Sequence, residues 1–247
     1  MALVPDPVDR QKRSAASGSP AISVLIVAYQ SAPTLTRCLA ALAAQTFADF
    51  EIIMVDNASS DGAPQRARQQ AAQADLTLDL IEAGDNLGFA AGNNLAAQHA
   101  RGQWLALLNP DAFADPCWLE RLMAATQRWP RISSFACLQR AADRPGFLDG
   151  AGDVLTLAGI PYRGGYGAPV AELPEGEVFS ACGAAHLIRR DLFLDLGGFD
   201  EAFFCYCEDV DLGYRLRLVG EATLLVPDAV VQHVGSAVLG ARSDFAL

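Results

Sequence analysis

Glu208-Asp209-Val210-Asp211-Leu212 gathers three carboxylates in four residues. At the start of a helix they would sit in the positive end of its dipole, and crowding of like charges raises one pKa enough to make a general base in a cleft. The plainer alternative is N-cap and first-turn helix support. Well upstream, Leu107-Leu108-Asn109-Pro110-Asp111 sets an amide and a carboxylate at the end of an apolar run. A hard divalent cation there would take Asp111 together with diphosphate oxygens; by itself the tripeptide is a proline turn. His233 follows another apolar run close to the chain's end. A single histidine is most often structural, but paired with Asp111 its neutral imidazole suits an Mn2+-type site. His99 and His186 lack such company and read as structural. Two separated acidic sites suggest divided labour, one for a metal and phosphates and one for a proton.

Two further segments suit a polar ligand. Val55-Asp56-Asn57-Ala58-Ser59-Ser60-Asp61-Gly62 follows a strand and opens a helix, so Asp56 can accept hydrogen bonds from a base or ribose, whereas Asp61 reads as the helix N-cap. Asp85 to Asn94 is a Gly/Asn-rich turn feeding a helix, which offers backbone N–H groups and amide side chains. It is neither a dinucleotide Gly-x-Gly-x-x-Gly fingerprint nor a Walker loop, and a plain turn with a helix start accounts for it equally.

The elements that must position these groups alternate. Strands are expected over Ile22–Ala28, Phe50–Val55, Leu76–Ile81 and Trp104–Leu108, with helices over Thr34–Ala44, Gly62–Gln73 and Asn93–Ala100 between them. That alternation is the pattern of a parallel sheet built by crossover helices. In such sheets ligands sit beyond the carboxyl ends of the strands, where Tyr29, Asp56 and Asp111 fall. Beyond Asp111 a helix is expected over Pro116–Trp129 and a strand over Ile132–Gln139. Pro145 to Pro174, rich in Gly and Pro, reads as an irregular loop or hairpin region over a site. Val178–Arg189 (strand), Asp191–Leu196 (helix), Asp209–Val219 (helix) and Ala222–Val226 (strand) complete the pattern.

Bulk properties narrow the classes. The 247 residues, 51% of them hydrophobic, suffice for a packed core. A net charge of −11, with no basic block beyond Arg10-Gln-Lys12-Arg13, argues against a nucleic-acid footprint. An acidic protein that binds an anionic nucleotide must supply positive charge locally, through a metal ion or backbone amides. The six cysteines are scattered and read as reduced cytosolic thiols rather than staples; Cys205-Tyr-Cys207 lacks the second pair a zinc site needs. Arg10 to Ala32 has the outline of a secretory signal but reads as a buried strand behind a Ser/Ala/Gly leader. No apolar run reaches the roughly 18–20 residues of a membrane-spanning helix.

In order along the chain, Ile22-Ser-Val-Leu-Ile-Val-Ala-Tyr29, Val55-Asp-Asn-Ala-Ser-Ser-Asp61, Asn86-Leu-Gly-Phe-Ala-Ala-Gly-Asn-Asn94, Leu108-Asn-Pro-Asp111, Gly197-Gly-Phe-Asp-Glu201, Glu208-Asp-Val-Asp-Leu212 and His233-Val-Gly-Ser236 resemble the family 2 inverting glycosyltransferases, particularly their rhamnosyltransferase-like branch. The resemblance spans residues 21 to about 237, and its strength lies in ordered co-occurrence.

The resemblance implies an α/β fold of the GT-A type, Rossmann-like, with a mostly parallel central sheet flanked by helices. Residues 1–20 would be a disordered leader and 21–247 a single domain, with a nucleotide-sugar-binding half (21–111) and an acceptor-binding half (112–247). It implies that Ala28, Tyr29 and Asp56 hold base and ribose, and that Asn86, Gly88 and Asn93 line the nucleotide-sugar pocket with Asn109. Asp111 stands where the family's Asp-x-Asp metal residue stands; the first Asp of that pattern is Asn109 here, as in the rhamnosyltransferase-like branch. Asp111 and His233 would hold Mg2+ or Mn2+, Asp209 would be the catalytic base, Glu208 would orient the acceptor, and Asp211 would support the helix start. The implied activity is transfer of one sugar from a nucleotide-diphosphate sugar, dTDP-rhamnose or a UDP-sugar, to a glycan or lipid-linked saccharide in cell-surface polysaccharide synthesis. The setting would be the cytoplasm, with peripheral association at the inner face of the membrane. Processive relatives carry Gln-x-x-Arg-Trp downstream of the base; Gln127-Arg128-Trp129 is upstream with other spacing, so a single addition is expected. Relatives often continue further past the residue matching His233, so part of the acceptor site or a membrane-associating segment is expected to be absent from this sequence.

Two other classes remain: a GT-A-like nucleotidyltransferase, which would want a Gly-rich, basic loop where Val27-Ala-Tyr-Gln-Ser31 stands, and a non-catalytic nucleotide-sugar binder, which would not need Asp209.

Overall fold

A computed structural model describes residues 18–235; the expected leader up to residue 17, and Ser236 of the last motif, lie outside them. Twelve strands are assigned among these residues. The apolar, β-branched run β1 (Ile22–Ala28) lies inside the main sheet, third strand from one edge. It pairs in parallel with β2 (Phe50–Asp56) and β4 (Trp104–Leu108), and β2 in turn with β3 (Leu78–Glu82). On the other flank β11 (Ala185–Arg189) joins β4 to β6 (Ser134–Ala141) in antiparallel sense, and β12 (Thr223–His233) runs parallel to β6. The short strands β5 (Ala112–Ala114), β7 (Leu148–Ala151) and β10 (Gly176–Val178) add to β12 and β6, while β8 (Asp153–Leu155) and β9 (Pro161–Arg163) form a separate hairpin.

Side chains alternate across the sheet, as strand geometry requires, and each face gathers its own helices. Val24, Ile26, Ile52, Met54, Ala106 and Leu108 pack under α1 (Ala32–Ala43), α2 (Ala63–Ala74) and α4 (Trp118–Arg128). Leu25, Ile53, Val55, Leu105 and Leu107 pack under α3 (Gly88–His99), α5 (Arg190–Asp195) and α6 (Glu208–Leu218). Burying each large apolar side chain on either face contributes roughly 1.5–3 kcal/mol. The result is a Rossmann-like α/β sheet flanked by helices.

The differences from sequence expectation have tertiary causes. Helix α3 starts at Gly88 rather than Asn93 because the Phe204 carbonyl accepts from the N–H groups of Phe89 and Ala90, at 2.7 and 3.2 Å. The expected strand Val178–Arg189 is broken at residues 179–184, since β10 belongs to β12 and β11 to β4 and β6. Strand β12 passes Pro227, where sequence patterning stops; a register shift between Val226 and Val230 absorbs the missing donor. Asp61 serves two helices, with Oδ1 accepting from Ala63 N at 3.1 Å and Oδ2 from Ala32 N at 2.8 Å, while Gly62 occupies the N-cap position assigned to it. The Gly/Pro-rich stretch holds β7 and the β8–β9 hairpin.

Candidate active site

Parallel register places Ala28 opposite Asp56 at the carboxyl ends of β1 and β2, and a cleft of about 370 Å³ opens above them. Tyr29, Ser31, Asn57, Asn86, Gly88 and Asn109 line it, with Asp111 and His233 at one side. Ala28 is fully buried beneath it, its carbonyl taking the Asn57 N–H at 2.8 Å. Asp56 is also buried; its Oδ2 accepts from Ser59 N at 3.0 Å, while Oδ1 has no hydrogen-bond partner. Ser31 Oγ and Asn57 Oδ1 are buried without partners too. Buried polar atoms are seldom left so; Ser31 and Asn57 line the cleft and offer open sites for a polar ligand, while Asp56, next to Asn57 in the chain, is not part of the lining.

Asn86 and Gly88 shape the turn: Asn86 Oδ1 accepts from Gly88 N, and the Gly88 carbonyl accepts from Asn57 Nδ2. Asn93 is placed elsewhere. It is buried within α3, its Nδ2 donating to Phe89 O at 2.9 Å, and it does not line the cleft. Its neighbour Asn94 is a strap that accepts from Phe199 N and donates to Phe199 O and Glu201 Oε1. Asparagines inside a helix must turn to the backbone or to a neighbouring segment, and here both do.

Asp111 and His233, 122 residues apart in sequence, come together because β5 pairs with the end of β12. Asp111 Oδ1 lies 3.3 Å from His233 Nε2, which is buried and has no aligned hydrogen-bond partner. On the ring's other side Nδ1 lies 2.7 Å from Asp149 Oδ2. Burial works to lower the His233 pKa, but the two carboxylates raise it to about 9. The place between Asp111 and His233 therefore favours a positive charge, whether on a proton or a cation. The donor set fits a divalent ion completed by ligand oxygens, and a carboxylate behind the imidazole is the usual support for a ligating histidine. Among the described residues no group of three or more His, Cys, Asp or Glu forms a closed metal site.

A second cleft of about 220 Å³ adjoins the first and holds Asp209 and Glu208. Phe89, Asn109, Arg163, Cys205 and Tyr206 line both. Asp209 Oδ2 accepts from Gly183 N at 2.9 Å and Oδ1 from Val210 N at 2.8 Å. Burial raises its pKa while these N–H groups and Arg163 oppose the rise. Glu208 is pushed to about 8, first by burial and then by the charge of Asp209. Asp211 is turned away, paired with Arg215 one helical turn on at 2.8 Å. Burial pushes the thiols of Cys182 and Cys205, which also line this cleft, to about 12, so they stay neutral. None of the six cysteines forms a disulfide.

The wall between the clefts is strained. Phe204, Tyr206 and Cys207 all have φ between +57° and +72°, a conformation costing on the order of 1–3 kcal/mol per non-glycine residue and common at binding sites. Sequence reasoning missed Asp149, Asp153 and Arg163. Asp153 lines the smaller cleft and accepts from Ser180 Oγ at 2.9 Å; burial and then the Asp209 charge push its pKa to about 7. The available signal was Asp149-Gly-Ala-Gly-Asp153 followed by Arg163, the one Arg or Lys between Arg144 and Arg189.

Comparison with known proteins identifies the family. The sequence model of Glycosyl transferase family 2 covers residues 23–197, from β1 to the Gly197 turn. An N-acetylglucosaminyl-diphospho-decaprenol L-rhamnosyltransferase of Mycobacterium tuberculosis is 33% identical over 236 residues, covering 86% of this chain and 75% of that protein. The O-antigen biosynthesis protein RfbC of Myxococcus xanthus is 31% identical over 249 residues, 94% of this chain but 19% of that one. A crystal structure of GalNAc-T7 with UDP, GalNAc and Mn2+ superposes with a TM-score of 0.73 at 18% identity, over 87% of this chain and 44% of that one. The chain thus spans three quarters of the mycobacterial relative and less than half of the solved chain. That structure shares the fold, GT-A, and the sequence match reaches from the first strand to the turn before Glu208: this chain belongs to glycosyl transferase family 2.

Proposed function

We propose that the chain is an inverting glycosyltransferase that moves one sugar from a nucleotide-diphosphate sugar to a hydroxyl of a glycan or lipid-linked saccharide. The observation that carries this reading is the pair of adjoining clefts, with Asp111 and His233 in one and Asp209 in the other. The open acceptors at Ser31, Asp56 and Asn57 receive the nucleoside. Asp111 and His233 would hold Mg2+ or Mn2+, which would supply positive charge to the leaving diphosphate. Asp209, held by the Gly183 and Val210 N–H groups, takes the acceptor proton as the acceptor oxygen attacks the anomeric carbon, and Glu208 orients that acceptor. A single in-line displacement needs base and leaving group on opposite faces of the sugar, which the separation of the clefts supports.

The name of the mycobacterial relative specifies rhamnosyl transfer to a lipid-linked N-acetylglucosamine. On that basis we assign a dTDP-rhamnose or UDP-sugar donor, an acceptor in cell-surface polysaccharide synthesis, and work at the inner face of the membrane. Among the described residues no helix is long and apolar enough to cross a membrane. The nucleotidyltransferase alternative lacks support at Tyr29-Gln30-Ser31, which has neither glycine nor a basic residue.

A panel of nucleotide sugars, each with and without Mn2+, tests the reading by thermal stabilisation, since a ligand at 100 times its Kd adds about 2.7 kcal/mol. One donor should stabilise in a metal-dependent way; no shift with any donor would sink the proposal.

A further inference from the structure

At the junction of the two clefts stands one guanidinium. Arg163 ends β9, pairs in register with Asp153 across the hairpin, and lines both clefts. Among the described residues it is the one Arg or Lys on either lining. The rest of the charged lining is mostly carboxylate: Asp111 in the larger cleft, and Asp153, Glu208 and Asp209 in the smaller.

Its position is held from behind. Nη1 donates to Asp149 Oδ2 at 2.7 Å, the same oxygen that meets His233 Nδ1. The aliphatic stem lies over Gly150, where an added Cβ would stand 3.7 Å from Arg163 Cδ. The hairpin's base is tied to β7 by Ala151 N–H to Gly164 O at 2.8 Å and by Gly164 N–H to Gly152 O at 2.7 Å. A guanidinium carries five N–H donors in a planar fork, and the Asp149 bond uses one. With its side chain 34% exposed, the remaining donors are available where the clefts meet. Planar forks of this kind suit phosphate oxygens.

In-line transfer puts the anomeric carbon between the Asp209 carboxylate and the diphosphate, that is, at the wall Arg163 forms. We propose that Arg163 binds the β-phosphate of the departing nucleoside diphosphate, with Asp149 orienting its guanidinium. This rests on the transferase reading above. In the step, the bond from the anomeric carbon to the β-phosphate oxygen breaks and its electron pair stays on that oxygen. The acceptor oxygen bonds the anomeric carbon and loses its proton to Asp209. Arg163 moves no proton; it meets the growing negative charge with N–H donors. It also supplies, in an acidic protein, fixed positive charge that no substrate or metal has to bring.

The test is calorimetric titration of the unaltered protein, Arg163→Gln and Arg163→Lys, with Mn2+, against UDP and UMP and against dTDP and dTMP. Arg163→Gln should weaken the diphosphate at least about tenfold, the scale of a hydrogen bond to a charged group, and the matching monophosphate by less than about twofold. Arg163→Lys, which keeps the charge without the fork, should bind the diphosphate more tightly than Arg163→Gln. Unchanged diphosphate affinity in Arg163→Gln, or equal losses for mono- and diphosphate, would overturn the inference. If the unaltered protein bound none of the four nucleotides, the dTDP- or UDP-sugar donor assigned above would fall, and this inference with it.

Discussion

His233 and Asp149, 84 residues apart in sequence, meet at 2.7 Å between Nδ1 and Oδ2. An ionised carboxylate only accepts, so the proton lies on Nδ1 and the Nε2 lone pair faces Asp111 when the ring is neutral. The contact exists because β12 continues past Pro227 to Ala112 of β5. Asp149 is thus behind the ring rather than in the cleft, and its carboxylate also holds Arg163.

Asp149→Asn leaves a neutral amide behind His233, and the ring loses both its fixed tautomer and part of its basicity. Support of this type is worth about 10–100-fold in metal affinity. Mn2+ titrated calorimetrically into the protein with saturating nucleoside diphosphate should bind about 10–100-fold more weakly in Asp149→Asn, and an unchanged Mn2+ affinity would remove Asp149 from the site.

Activity and stability should slope in opposite directions with pH. Asp209 acts as a base only when ionised, and its pKa, like that of Glu208, is raised, so the initial rate should climb with pH above the usual carboxylate range. For stability, Glu208 moves from 4.5 when unfolded to about 8 when folded. Between those values the folded state holds more protons, so stability falls as pH rises through the window. Melting temperature against pH should show this fall, and Glu208→Gln should flatten it. A melting temperature that rises with pH between 5 and 8, with the Glu208→Gln profile parallel to it, would contradict the assignment.

Much of the frame is legible in sequence because continuous burial writes itself as continuous apolar runs. The runs of β1 and β4 say where each strand ends, and parallel pairing then puts Tyr29, Asp56 and Asp111 on one edge. What was not legible arises from contacts distant in sequence. Strand β7 and the β8–β9 hairpin are three or four residues each, too short for periodicity, so nothing local announces that Asp149 reaches His233 or that Arg163 bridges two clefts. Asn93 misled for a similar reason: at the mouth of a Gly/Asn-rich turn it has the type of a ligand-binding amide, yet the early start of α3 turns it inward. That early start is itself set by the Phe204 carbonyl, more than a hundred residues away in sequence.

The seam between α3 and the strained wall is open to a direct test. Gly88 has φ +81°, and an added Cβ would come within 2.6 Å of both the ring and the carbonyl of Phe204. Gly88→Ala should cost on the order of 1–3 kcal/mol, lowering Tm by roughly 3–10 °C, and should weaken donor binding by shifting the Phe204–Cys207 loop. Gly167→Ala is the control, with φ +71° but nothing within 4 Å of an added Cβ. It should lower Tm through backbone strain while leaving donor affinity unchanged. Equal effects of both on donor affinity would disprove the seam's role.

The division of labour between the clefts predicts separable losses. Asp111→Ala should weaken metal-dependent donor binding at least about tenfold, with calorimetry in Mn2+ as the measurement, and full donor affinity there would remove Asp111 as a ligand.

The most direct measurement is the pair of donor affinity and transfer rate for Asp209→Asn, an isosteric change that removes the base and can keep one of its two hydrogen bonds from the Gly183 and Val210 N–H groups. Donor affinity should stay within about twofold while transfer falls roughly 10²–10⁴-fold. Transfer at the unaltered rate would contradict the assignment of Asp209 as the base.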